Sequence, residues 1–386
     1  MTERLYYTDA RLTEFTARVV ETAGNRVYLD RTAFYPTSGG QLFDVGTLGG
    51  ARVVDVVDEK ERIAHILDGP AAFAAGDELE GRVDWTRRFD HMQQHTGQHL
   101  LSAVFEELFG HRTVSVHFGD DSSTLDLDAA SLPRERALQA ERHANEIVLE
   151  NRPVTVTFED AAKASGLRKA VDRTGEIRIV SIDGVDRSAC GGTHVRGTGE
   201  IGPVAIRRVE KYKQGTRVEF LCGWRALDRA RSDFDALSVT AAALTASIDE
   251  VPVLVAAQAG RVKDAEAEAR KRGEELAKYQ ARERYDAAAP DASGLRRIVE
   301  SAPSMDPLRA MAQAMGALPK AVYIGSVASP PGIVLAASAD SGINAGELLK
   351  AALAANGGRG GGSPRIAQGT VADAAALERV LESLGA

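Results

Sequence analysis

The sequence predicts an α+β protein in several parts: a small N-terminal β-barrel, an α+β domain, a helical stretch and a C-terminal α/β domain. Three observations predict it. Residues 1–86 hold short β-forming runs punctuated by Gly and Asp. Residues 88–223 alternate helical patterns with strand-like runs. Residues 258–284 carry 14 charged side chains in 27, and the pattern changes again after Pro290. At 386 residues the chain is long enough for several cores.

The elements follow in order. β-formers cluster at 17–20, 26–29, 52–57, 63–67 and 80–83, which gives the barrel, residues 1–86. A helix is expected over 88–109, with Leu100, Leu101, Val104, Phe105 and Leu108 at helical spacing and Gly110 as its stop. Strands at 113–116 and 123–127 precede a second helix over 132–151. Strands recur at 154–158, 177–182, 204–209 and 216–221, so 87–224 reads as one antiparallel sheet covered by helices. Residues 225–287 read as a helical linker, in which Val262, Ala269 and Leu276 fall seven apart as in a coiled coil. Residues 288–386 read as a separate α/β domain, with strands at 295–299, 321–324 and 333–337 and helices at 307–315, 345–355 and 373–384.

Composition narrows the setting. Two cysteines in this length make no disulfide framework and suit a reducing compartment. No apolar run of about 18 residues is present, and the N-terminus lacks the basic-then-apolar pattern of a secretory signal. The expectation is a cytoplasmic protein without a membrane segment. The formal net charge of −8 disfavours nucleic acid as a partner, but local basic clusters can coexist with an acidic total. The clearest are Arg87 with Arg88, Arg207 with Arg208, and residues 211–217.

Two short motifs carry chemistry. His95 and His99 stand four apart on the first helix, so both side chains lie on one face; His91 is one turn further back. Cys190 and His194 flank Gly-Gly-Thr, a tight turn able to fold both inward. An isolated His pair is a common coincidence, but thiolate and imidazole are zinc's preferred ligands, and two correctly spaced half-sites are far more specific than one. One zinc ion on His95, His99, Cys190 and His194 is therefore expected. Zinc proteases place Glu directly after the first His; here Thr96 stands there, which argues against that class. Four protein ligands fit a structural zinc, or a catalytic one in which one ligand yields.

These motifs resemble the editing domain of alanyl-tRNA synthetase and, more closely, the free-standing AlaX-type editing proteins. Residues 32–41 (Thr-Ala-Phe-Tyr-Pro-Thr-Ser-Gly-Gly-Gln) are similar to that family's glycine-rich loop. Residues 88–103 are similar to its metal helix, and 190–202 to its second metal motif. Residues 357–368, Gly-Gly-Arg-Gly-Gly-Gly-Ser-Pro-Arg-Ile-Ala-Gln, are similar to the C-terminal domain of the synthetase, an architecture matching the long AlaX subtype. Met1 lies only 31 residues before Thr32, so no ATP-dependent activating domain is expected.

The resemblance implies a zinc-dependent hydrolase that deacylates tRNA(Ala) carrying serine or glycine. It implies that the Thr32 hydroxyl contacts serine, that Gln41 lines the pocket, and that Ser115 and His117, on the strand after the metal helix, are catalytic candidates. For Ser115 and His117 an alternating strand face is an equal reading, as it is for Asp186 and Arg187 beside the second motif. The resemblance also implies a homodimer formed through the linker or the C-terminal domain, which could instead grip the tRNA. Competing readings are a non-catalytic RNA-binding protein with a structural zinc, and a hydrolase of another aminoacyl ester or small amide.

Overall fold

In the computed structural model, which describes residues 1–172 and 174–386, the chain folds into two units, Met1–Val239 and Thr240–Ala386. The first begins with eight strands: β1 (Glu3–Arg4), β2 (Glu14–Ala23), β3 (Arg26–Leu29), β4 (Arg31–Thr32), β5 (Gly46–Leu48), β6 (Ala51–Asp58), β7 (Ile63–Leu67) and β8 (Glu78–Val83). Six of them close into a barrel in the order β2-β3-β7-β6-β5-β8, while β1 and β4 pair in parallel beside it. Alternation sets the inside: Ala17, Val19, Val27, Leu29, Val53, Ile63 and Leu79 turn inward, and polar neighbours turn out.

Helix α1 (Trp85–Phe109) starts on Asp84, whose side chain accepts the Arg87 N–H, and stops at Gly110, whose φ of 69° suits a residue without Cβ. Every residue from His91 to Phe105 is buried, so the helix runs through the interior rather than along the surface. Its polar side chains are matched accordingly. Gln94 both donates to and accepts from the Cys222 backbone at 2.9 Å, and Gln93 donates to the Glu200 carbonyl. Gly97 permits the closest packing, since a Cβ there would lie 2.2 Å from the Cys222 Sγ.

Around α1 stand two antiparallel sheets rather than the single sheet expected. One joins β9 (Thr113–Phe118), β10 (Ser123–Leu127), β14 (Val204–Tyr212) and β15 (Gly215–Cys222) in the order β14-β15-β10-β9. The other joins β11 (Val154–Asp160), β12 (Glu176–Ile182) and β13 (Asp186–Ala189), which follow α2 (Arg134–Glu150). Periodicity reports which face of a strand is buried but not which strand it pairs with, so the division was invisible in the sequence. One core unites Leu100, Leu101, Val104 and Phe105 of α1 with Phe118, Leu125 and Phe220 of the first sheet and Val180 and Ile182 of the second. Helix α3 (Gly223–Ala243) leads out of this region.

In the second unit, α4 (Val251–Ala287) precedes a five-stranded sheet, β16-β17-β18-β20-β19, made of β16 (Arg296–Ser301), β17 (Ala321–Ala328), β18 (Pro331–Ala337), β19 (Arg359–Gly362) and β20 (Ile366–Thr370). Helix α5 (Met305–Met315) covers one face; α6 (Ala345–Ala355) and α7 (Ala374–Ser383) cover the other. Sheets covered on both faces need unbroken apolar strands, and β17 is buried from Ala321 to Val327. On α4, Ala277 and Ala281 are buried, whereas Val262 and Leu276 of the heptad are more than half exposed. The glycine-rich stretch supplies the edge strand β19. A Cβ at Gly360 or Gly362 would meet the backbone of β20 within 2.5 Å, so glycine is what lets this strand pack there.

Among the described residues, no single helix is long and apolar enough to cross a membrane.

Candidate metal centre

Helix α1 and the turn after β13 bring His95, His99, Cys190 and His194 together, with one ligand atom from each lying within 4.8 Å of all the others. Among the described residues no other set of His, Cys and acidic side chains converges in this way. The Cys190 Sγ stands 3.4 Å from His95 Nε2 and 3.3 Å from His194 Nε2. The three histidines are 3 to 5% exposed, and Cys190 is half-buried. Gly192 makes the convergence possible: a Cβ there would lie 2.2 Å from His95 Cε1.

The other ring nitrogens decide what the cluster can hold. His99 Nδ1 is 2.8 Å from Asp186 Oδ2, and a carboxylate can only accept. His95 Nδ1 is 2.8 Å from Gln41 Oε1. That atom also accepts the Thr193 N–H at 3.0 Å, while Gln41 Nε2 donates to Thr193 Oγ1, so the amide orientation is fixed. His194 Nδ1 is 3.1 Å from Thr96 Oγ1, whose own hydrogen goes to the Met92 carbonyl at 2.8 Å. All three histidines therefore donate outward from Nδ1 and turn Nε2 lone pairs toward a sulfur. Buried lone pairs that face one another need a cation between them, and His₃Cys is a donor set that suits zinc. The residues fit a metal ion.

Burial alone would raise the Cys190 thiol, but the neighbouring His95 and His194 outweigh it and hold the group well below its ordinary range, and the Gly192 N–H lies 3.4 Å from the sulfur. Burial likewise opposes ionisation of Asp186, yet its bonds to His99 and Arg168 bring it to about 2.

The remaining candidates fall into two groups. Gln41 reaches the cluster, where its side-chain oxygen meets His95. The loop that carries it is fixed by Arg88, which is fully buried; its Nε lies 3.0 Å from Asp44 Oδ1, and its other nitrogens donate to the Ala10 and Ala33 carbonyls. Arg88 is thus no surface contact for phosphate, a correction to the reading of the Arg87–Arg88 cluster. Arg207 and Arg208 pair at the surface with Asp233 and Glu210, and Arg217 pairs with Asp126.

Thr32 is fully buried; its hydroxyl lies 2.8 Å from His65 Nε2 and accepts the Phe34 N–H. Ser115 and His117 lie on the face of the β9–β10–β15 sheet opposite Phe118 and Leu125. Ser115 donates to Asp126 at 2.5 Å, and His117 is exposed. His91 stays outside the cluster, 1% exposed, with both ring nitrogens unpartnered. Thr96 and Thr193 carry no local signal of their supporting roles: in the sequence one stands only where a protease has glutamate, and the other only within a turn.

Comparisons with known proteins place the chain among proteins of alanyl-tRNA synthesis and editing. Residues 177–219 match the family described as threonyl and alanyl tRNA synthetase second additional domain, residues 5–87 match tRNA synthetases class II (A), and residues 297–386 match the DHHA1 domain. The chain is 32% identical over 401 residues to the alanine–tRNA ligase of Pyrococcus abyssi, covering 99% of this chain but 43% of the ligase. It thus spans less than half the length of such ligases. The alanyl-tRNA editing protein AlaX-M of Methanosarcina acetivorans is 37% identical over 241 residues, which is 57% of this chain and 98% of AlaX-M. A solved C-Ala domain from Aquifex aeolicus alanyl-tRNA synthetase covers 23% of this chain at 21% identity, with a TM-score of 0.21, too low to support a fold argument. With nearly the whole of AlaX-M aligned and the candidate metal ligands assembled in space, the chain belongs to the AlaX family of alanyl-tRNA editing proteins.

Proposed function

We propose that this chain is a zinc-dependent hydrolase that removes serine or glycine from mischarged tRNA(Ala). The observation that carries the reading is the buried His₃Cys cluster whose three Nδ1–H groups all point outward, in a chain aligned over 98% of an AlaX-M protein. When bound, zinc supplies Lewis acidity toward an ester carbonyl or a water. The chain's own residues position it. His95, His99, Cys190 and His194 hold the ion, and Gln41, Thr96 and Asp186 fix the rings. Cys190 is the most exposed of the four ligands, so the ester approaches from its side.

A second sieve is chemically sensible. A pocket shaped for alanine cannot strongly exclude glycine, and serine differs by one hydroxyl. The partner is tRNA(Ala), whose backbone requires positive charge. With Arg88 internal, the exposed Arg208, Lys211 and Lys213 around the β14–β15 turn are the candidates for phosphate contact.

The test is direct: mix the full chain with tRNA(Ala) charged in turn with serine, glycine and alanine. Release of serine or glycine with alanine spared is the expected result. No release by zinc-loaded protein would overturn the reading in favour of a structural zinc in a non-catalytic RNA-binding protein, which four protein ligands would also suit.

A further inference from the structure

The three groups that accept the histidine Nδ1–H bonds are chemically unequal. Asp186 is a carboxylate, and its side chain is completely buried. Arg168 Nε at 2.6 Å and the Ser188 hydroxyl at 2.9 Å hold it in place, so it cannot turn away from His99. An anionic acceptor on Nδ1–H pushes electron density through the ring and makes Nε2 a stronger donor. Gln41 is a neutral amide whose oxygen is shared between His95 and the Thr193 N–H. Thr96 offers the weakest support. Its hydroxyl oxygen is 3.1 Å from His194 Nδ1, the longest of the three contacts, and it also accepts the Val195 N–H at 3.2 Å.

We propose that this graded support ranks the ligands: Asp186 makes His99 the anchor, and Thr96 leaves His194 as the ligand that yields. Asp186, Gln41 and Thr96 are positioning residues, since each acts through a histidine. The ranking rests on reading the cluster as a metal site, and it reconciles four protein ligands with chemistry that needs an open position. His194 lies on the glycine-containing turn with Cys190, whereas His99 is fixed in the middle of a buried helix.

The experiment measures metal affinity rather than activity. The full chain is titrated with zinc against a chromophoric chelator, and its cobalt form is followed by visible absorption, for wild type and for His99→Ala, His95→Ala, His194→Ala and Asp186→Asn. Circular dichroism checks that each variant is folded. Wild type binds one ion. His194→Ala keeps it most tightly of the three alanine variants, with a cobalt spectrum altered but present, and His99→Ala loses it most completely. Asp186→Asn keeps an oxygen acceptor but not the charge, so a purely structural role would survive the change. The proposal expects about a 10- to 100-fold loss of affinity instead. Equal losses at His194 and His99, or an Asp186→Asn affinity within about three-fold of wild type, would overturn the ranking while the metal site stands. A wild-type chain that binds no zinc would remove both.

Discussion

His65 and Thr32 show how one hydrogen bond fixes the meaning of a residue. His65 is fully buried in the barrel, with Nδ1 on the Val27 carbonyl and Nε2 on the Thr32 hydroxyl. The hydroxyl's hydrogen goes to the ring, and its oxygen takes the Phe34 N–H. Thr32→Val keeps the shape but leaves His65 Nε2 unpaired, at a cost of about 1–3 kcal/mol in denaturant melts. The ratio of serine to glycine release tests the role that the resemblance implies: a selective loss of serine release would place the hydroxyl against the substrate, and an unchanged ratio would leave it a support of His65 alone.

Burial, only partly offset by the Val27 carbonyl, lowers the His65 pKa from 6.5 to about 4. The folded chain therefore binds this proton less readily than the unfolded chain does. Stability is full above pH 6.5 and falls as the pH drops toward 4, by about 3 kcal/mol if the whole shift is expressed. His65→Gln should flatten that part of the pH–stability curve, and an unchanged slope would assign it to other groups. At the metal centre, Gly192→Ala puts a methyl group against His95. Zinc content should fall well below that of wild type without loss of fold, and a full zinc complement would show that the turn can move aside.

At the scale of elements, α1 explains both what the sequence made legible and what it concealed. The His95–His99 spacing is a helical property and Cys190–His194 a turn property, so all four ligands could be read locally. Their supports could not. Gln41 comes from a barrel loop, Asp186 from β13, and the two meet α1 only through packing across 54 and 87 residues of chain. The buried Arg88 was equally hidden, because beside Arg87 it looks like a surface charge. The barrel was legible from short alternating strands, whereas the split into two sheets was not.

The Arg88–Asp44 pair ties α1 to the loop bearing Gln41. Arg88→Met leaves Asp44 buried without its partner and should cost about 3–5 kcal/mol in thermal or denaturant unfolding. A loss below about 1 kcal/mol would mean that the loop is held by other contacts.

At the scale of the whole molecule, the chain joins a barrel, an α+β region with the His₃Cys cluster and an α/β unit that matches the DHHA1 domain. AlaX-M aligns with 57% of the chain, and the residues of the proposed chemistry all lie in the first unit. That chemistry predicts that zinc content and ester hydrolysis disappear together. The decisive measurement determines bound zinc and the rate of serine release from Ser-tRNA(Ala) on the same preparations of wild type and folded His99→Ala. About one zinc per chain and rapid release are expected for wild type, with both lost in the variant. A zinc-depleted His99→Ala chain that still deacylates at the wild-type rate would contradict it.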